Sequence, residues 1–302
     1  MSFFSMMGAL EIGLIFSLVA LGVLISFRIL NFPDLTVDGS FALGGATAAI
    51  LIAGGANPFV ATLVAMVAGA CAGFITGWLN VRLKIMDLLA SILMMIALYS
   101  VNLRVMGAPN VPLITSPTVF TMLLPENAPD WLPDYVLRPS LLLVVVVVVK
   151  LGLDYFFSSQ QGLAMRSTGA NPRMARAQGV NTGREILAGM ALSNSLVALA
   201  GALFAQSQGG ADISMGIGTI VIGLAAVIIG ETILPARRLI LTTLAVVVGA
   251  VLYRFFIALA LNSDFIGLKA QDLNLVTALL VAVALVLPAT RRKLFPRKNG
   301  GA

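Results

Sequence analysis

Long apolar runs, separated by short charged or turn-forming stretches, fill almost the whole chain. The runs cover residues 8–27, 39–81, 88–103, 137–157, 186–206, 213–230, 239–261 and 273–290. The second run carries no charge and is about twice the ~20 residues that cross a bilayer as one helix. Gly54, Gly55, Ala56, Asn57 and Pro58 form a turn signal that splits it. The pattern therefore predicts nine transmembrane helices. No segment shows the period-two alternation of a transmembrane β-barrel strand. Lys150 and Asp154 fall inside a run but lie one helical turn apart, where they can pair.

Composition excludes the alternatives. Of 302 residues, 59% are hydrophobic and 11% charged, with mean hydropathy +1.00. Soluble domains run near 45–50% apolar and about 25% charged. A water-soluble enzyme or a disordered chain cannot have this balance. There is no histidine and one cysteine, Cys71, so an intrachain disulfide and a zinc, copper or haem site are not expected. No Lys or Arg precedes Arg28, so the first run is expected to be a retained span rather than a cleaved leader.

The net charge is +6, and the basic residues sit at the ends of the runs. Nine spans with a cytoplasmic C-terminus put 14 basic residues inside: Arg28, Arg82, Lys84, Arg166, Arg173, Arg176, Arg184, Arg237, Arg238 and the tail residues Arg291, Arg292, Lys293, Arg297 and Lys298. Only 4 fall outside, namely Arg104, Arg138, Arg254 and Lys269. That asymmetry predicts an external N-terminus in a cytoplasmic (inner) membrane.

Two connections are long. The outer one, 107–139, holds seven of the 13 prolines together with Glu126, Asp130, Trp131 and Asp134, and should be irregular. The inner one, 158–184, carries helix punctuation. Gly169 can end a first short helix, Asn171 can cap a second, Pro172 suits its first turn and Gly179 its exit. Met174, Ala175 and Ala177, between Arg173 and Arg176, would give this helix an apolar face for a partner's groove.

Residues 34–51 and 212–229 align without gaps. Asp34 meets Asp212, Thr36 meets Ser214, Gly45 meets Gly223, Ala48 meets Ala226 and Ile50 meets Ile228. The two segments start at opposite membrane faces in the predicted topology, which is the sign of an inverted-topology repeat. Gly39, Gly44, Gly45, Gly216, Gly218 and Gly223 permit broken helices or close packing. A break must face a cavity or protein. Asp34, Thr36, Asp38, Gly39, Ser40, Asp212, Ser214, Gly216 and Gly218 are therefore the candidate substrate pathway. Ser193, Asn194 and Ser195 are expected to bond between helices.

Asn31-Phe-Pro-Asp-Leu-Thr-Val-Asp-Gly-Ser-Phe41 resembles the early motif of permease subunits of the branched-chain amino-acid ABC importers. Its Leu-Thr-Val-Asp-Gly-Ser form is close to the subgroup linked to tryptophan or tyrosine uptake. The stretch from Gly162 to Asn181 resembles that family's cytoplasmic coupling segment. The resemblance implies ATPase-coupling roles for Gly162, Arg166, Gly169, Asn171, Pro172, Ala175, Arg176 and Gly179. It also implies a second permease copy, two ATPase subunits carrying ATP-Mg, and an external substrate-binding protein. The chain has no G-x-x-x-x-G-K-[ST] of its own, so ATP hydrolysis is expected elsewhere and no cofactor in this chain. An ion-coupled secondary transporter is the competing class; it would place acids at mid-membrane, where Asp38, Asp154 and Glu231 are the candidates. A structural or assembly protein of the membrane is a third.

Overall fold

The structure, a computed structural model, describes residues 3–123, 134–234 and 238–261, with residue 282. Apart from residue 282, the predicted ninth span, 273–290, the basic tail, Arg237, Lys269, Glu126, Asp130 and Trp131 lie outside the described residues. The described residues are predominantly helical, with a single two-stranded ribbon among them.

Among the described residues, seven helices are long and apolar enough to cross a membrane. The first, α1 (Phe3–Val23), continues through a π-helical turn, Leu24–Ile29. It is followed by α2 (Thr36–Ala53), α3 (Pro58–Leu83) and α4 (Asp87–Met106). Strand β1 (Asn110–Pro112) and α5 (Val119–Leu123) lie in the Pro-rich connection, which leads to α6 (Asp134–Ser158). Two shorter helices, α7 (Gln160–Ala170) and α8 (Pro172–Ala177), precede α9 (Thr182–Gln208). Strand β2 (Gly210–Asp212), α10 (Thr219–Ile233) and α11 (Leu239–Leu261) complete the described chain. The turn signal at 54–58 works as read: Asn57 Oδ1 accepts from the Phe59 amide at 2.9 Å and Pro58 opens α3.

The predicted count of nine is not confirmed: the described residues hold these seven and one shorter apolar helix. The seventh predicted span, 213–230, is helical over only part of its length: residues 213–218 form turns, and α10 is 15 residues long. At 1.5 Å per residue it reaches about 22 Å, short of the ~30 Å hydrocarbon core.

The bundle has two ends that contacts define. At one, Arg28 pairs with Glu231 at 2.8 Å, Gly169 of α7 crosses Ile29 and Leu30, and Gly183 meets Val81. At the other, β1 pairs antiparallel with β2, Val111 opposite Ala211, over a cluster that includes Ile52, Ala61 and Met106. Glu231 is thus engaged at an end of the bundle rather than half-way along it. Lys150 and Asp154 do pair, at 2.5 Å, and Thr243 donates to the same carboxylate at 2.7 Å.

Helices α1, α2 and α9 are buried along most of their length, whereas α4 and α6 turn most of theirs outward. Lipid is as apolar as leucine, so burial of apolar area cannot choose these neighbours; close backbone approach and hydrogen bonds must. Gly69, Gly73 and Gly77 line the face of α3 that meets Asn194, Met190 and Leu187 of α9. Where α2 crosses α9, Gly44 lies on the Ala198 carbonyl and Gly201 on the Phe41 carbonyl. Polar bonds also join α9 to its neighbours. Ser193 Oγ donates to the Gly22 carbonyl at 2.7 Å, and Gln206 Nε2 to Thr62 Oγ1 at 2.9 Å. Gln206 Oε1 accepts from the Val119 amide at 2.9 Å, tying α5 to α9.

This packing makes a testable distinction between two glycines. Gly201→Ala drives a Cβ into the Phe41 carbonyl, whereas a Cβ at Gly152 of α6 meets nothing within 4 Å. We expect Gly201→Ala to cost about 1–3 kcal/mol, and Gly152→Ala to be neutral or to stabilise by up to about 1 kcal/mol. Thermal unfolding of the purified variants in detergent decides it; equal midpoints would remove the close α2–α9 approach from the account.

Candidate functional site

The site grows from the first turn of α2. Asp34 is fully buried just before the helix, where its Oδ1 accepts from the Thr36 amide at 2.9 Å and its Oδ2 from Asn194 Nδ2 of α9 at 2.8 Å. Burial pushes the Asp34 carboxyl above its ordinary value, and the bonds from Thr36 and Asn194 pull against that. Thr36 Oγ1 lies 2.9 Å from Thr76 Oγ1 of α3. These groups fasten the start of α2 to its neighbours on two sides.

Asp38, one turn later, reaches to α10. Its Oδ2 accepts from the Gly218 amide at 3.0 Å and its Oδ1 from the Ile220 amide at 2.8 Å. The first amides of a helix have no acceptor within it, and its N-terminus carries partial positive charge. Asp38 supplies both acceptors and countercharge from a residue 180 positions away. Gly218 precedes α10 at φ +82°, a conformation that favours glycine. Gly216 lies directly on the Asp38 carbonyl, where no Cβ fits.

Beside this contact is a cavity of about 390 Å³ between α2, α4 and the 213–218 turns. Asp38, Gly39 and Ala42 contribute from α2, Ile213, Gly216 and Ile217 from the turns. Met95, Ile96, Tyr99, Ser100 and Asn102 contribute from α4. Asn102 is buried; its Nδ2 donates to the Gly39 carbonyl at 3.2 Å, while its Oδ1 has no donor among the described residues.

Of the nine candidate pathway residues, Asp38, Gly39 and Gly216 line this cavity. Asp34, Thr36 and Ser40 are buried in α2 contacts away from it, and Ser40 Oγ has no partner among the described residues. Gly218 is held by Asp38 instead. Asp212 and Ser214 form a local turn, with Asp212 Oδ1 accepting from the Ser214 amide at 2.8 Å and from its hydroxyl. Asp34 and Asp212 thus do the same job, each accepting the amide two residues on. The alignment does not continue beyond that: α2 starts at Thr36, whereas α10 waits until Thr219. The expected break near 34–40 is also corrected. Helix α2 runs unbroken through Asp38 and Ser40, and the irregularity precedes it, in the π-helical turn and at Asn31, φ 55°.

At the other candidate region, the punctuation of the 158–184 connection forms two helices. Asn171 Oδ1 accepts from the amides of Arg173 and Met174, both at 3.1 Å; Pro172 opens α8, and Gly179 leaves it at φ +84°. Three readings change. Gly169 does not end α7, which runs to Ala170; it lets α7 lie against the Ile29 carbonyl. Gly162 likewise lets α7 start against the backbone of Phe156 and Phe157. Ala175 is buried under α8, so it cannot face a partner, whereas Met174 is 64% exposed beside exposed Arg173, Arg176 and Ala177. Arg166 is exposed on α7.

A comparison with known families places this architecture. The family described as "Branched-chain amino acid transport system / permease component" matches over residues 5–287. The chain belongs to this permease family. It is 38% identical over 293 residues, 95% of this chain and 94% of the relative, to a "Tyrosine transport system permease protein" of Clostridioides difficile. An uncharacterized protein of Rickettsia prowazekii is 34% identical over 92% of this chain and 95% of its own. The galactofuranose transporter permease protein YtfT of Escherichia coli is 28% identical over 85% of this chain and 72% of its own. No solved structure matches the chain. The permease is thus a multi-pass membrane protein of the ABC-transporter type, and family membership implies ATPase subunits as partners.

The sequence reading of this permease missed the α4 wall of the cavity. Its signal was there: Met95, Tyr99 and Asn102 fall at i, i+4 and i+7, one stripe of a helix. It was hidden because every span of a membrane protein is apolar on most faces.

Asp38→Ala leaves the Gly218 and Ile220 amides without acceptors; we expect a loss of about 1–3 kcal/mol. Asp38→Asn keeps one acceptor oxygen and should lose less. Thermal melts of both variants beside the parent check the order, and an Asp38→Ala melt at the parental midpoint would dismiss the bridge.

Proposed function

We propose that this permease carries a small amino acid, aromatic in class, from an external binding protein into the cytoplasm, driven by ATP hydrolysis on separate P-loop subunits. The carrying observation is a mechanical one. The connection that presents exposed Met174 packs, through α7 at Gly169, directly on Ile29 and Leu30. Those residues lead, through the short connection before α2, to Asp34 and then Asp38, hence to the cavity and α10. A push on α8 would therefore be delivered to the start of α2 and rock the bundle as a rigid body between two states.

The direction of travel follows the charge asymmetry: the α7–α8 end is cytoplasmic, the ribbon end external, and the membrane is the inner one. Two copies of the permease would complete a transporter, with α2 and α10 as its inverted elements. The tyrosine-transport relative supports an aromatic amino acid as cargo. Against ion coupling, both Asp34 and Asp38 already have protein donors: Asp34 from Thr36 and Asn194, Asp38 from the Gly218 and Ile220 amides.

Proteoliposomes holding the permease with its ATPase and binding protein should take up L-tyrosine or L-tryptophan only when ATP is supplied to the ATPase side. Uptake driven by a proton or sodium gradient without ATP would overturn the reading. Met174→Glu should abolish ATPase association and uptake at an unchanged melting midpoint, whereas Ala175→Glu should lower the midpoint itself, since a charge would be buried there.

A further inference from the structure

We infer that the cavity between α2, α4 and the 213–218 turns is a subsite for an amine-bearing ligand with an apolar body, bound through its ammonium by Asp38 and Asn102; this rests on the permease reading above. Among the described residues, Asp38 is the only charged one on the cavity wall, and no lysine or arginine lines it. Each of its oxygens takes one backbone amide, which leaves acceptor capacity on a half-buried carboxylate. Asn102 adds a second, independent indication. It is 1% exposed and bonded to Gly39 through its nitrogen, while its oxygen has no donor among the described residues. A buried acceptor without a donor is costly, and Asn102 belongs to the wall of this cavity.

Two acceptors and no cation describe a site for a donor group, and an ammonium offers three protons and the missing charge. The rest of the wall is apolar. Met95, Ile96, Tyr99 and Ile217 suit an aliphatic or aromatic body, with the Tyr99 ring and a thioether available for stacking. A volume of about 390 Å³ falls in the range of small-ligand pockets, roughly 300–1,000 Å³. A furanose would meet too few polar partners here, because its hydroxyls need donors and acceptors all round. The wall also lacks a guanidinium for a carboxylate, so the acid end of an amino acid would point to the cavity mouth.

The parent chain can be tested without a variant. The full-length permease in nanodiscs is dialysed against radiolabelled tyramine, which keeps the amine, or 4-hydroxyphenylpropionate, which keeps the acid and lacks the amine. We expect tyramine to bind at least tenfold more tightly, and L-arabinose not to compete. Equal binding of the two, binding of neither, or competition by the sugar overturns the subsite. Asn102→Leu should weaken tyramine binding about ten- to a hundredfold, while Asn102→Asp should match or exceed the parent, a rescue that a merely structural Asn102 would not show. If reconstituted transporter takes up tyrosine with ATP yet these ratios are flat, the subsite fails and the importer reading stands. If no ATP-driven uptake occurs while tyramine still binds selectively, the subsite stands and the importer reading fails.

Discussion

A helix that begins within an apolar slab must find acceptors for its first amides, because neither lipid nor water will provide them there. Helix α10 is too short to reach from face to face, so its beginning is the point of greatest exposure to that cost. Asp38 meets it from α2. Much of the site follows from this single reach. The glycines at 216 and 218 are needed for the approach, the turns at 213–218 are shaped by it, and the cavity is the space left between those turns and α4. Asp38 must in turn be held still, which explains why Asp34, one turn earlier, is tied to Thr36 and Asn194.

The remaining helices are selected by how closely they come. Glycines on α3, and the reciprocal pair Gly44 and Gly201 on α2 and α9, bring backbones into contact without side chains between them. Hydrogen bonds then fix the register, Ser193 to Gly22 and Gln206 to Thr62 and Val119. Helices α4 and α6, which lack such a seam along much of their length, are the ones that turn outward.

Membrane class, most span positions and the capped α7–α8 connection were legible because each rests on local chemistry: run length, Asn-Pro at a helix start, glycine at an exit. The prediction at Leu239–Leu261 coincides with α11, and 54–58 divides α2 from α3. What was not legible depends on distant partners. An Asp at position 38 reads the same whether it faces water, a coupling ion or the amides of residues 218 and 220. Ala175 reads as an ideal surface residue for a groove, and only the packing of α8 on α7 and α9 buries it. The similarity of 34–51 to 212–229 pointed to two segments that do meet, but hydropathy ran the turns at 213–218 into the helix after them.

The burial of α1 has a consequence for how the protein is made. Its neighbours α9, α10 and α11 all lie in the last third of the described chain, so the ribosome delivers them long after α1 has entered the bilayer. Until then α1 stands among lipid tails with no companion on those sides. A stripe of polar residues prepared for later partners would be penalised throughout that wait. From Ile12 to Ile25 the only polar side chain is Ser17, whose hydroxyl is turned back onto the Leu14 carbonyl. The same uniform surface serves as a lodger in lipid first and as the centre of the bundle afterwards.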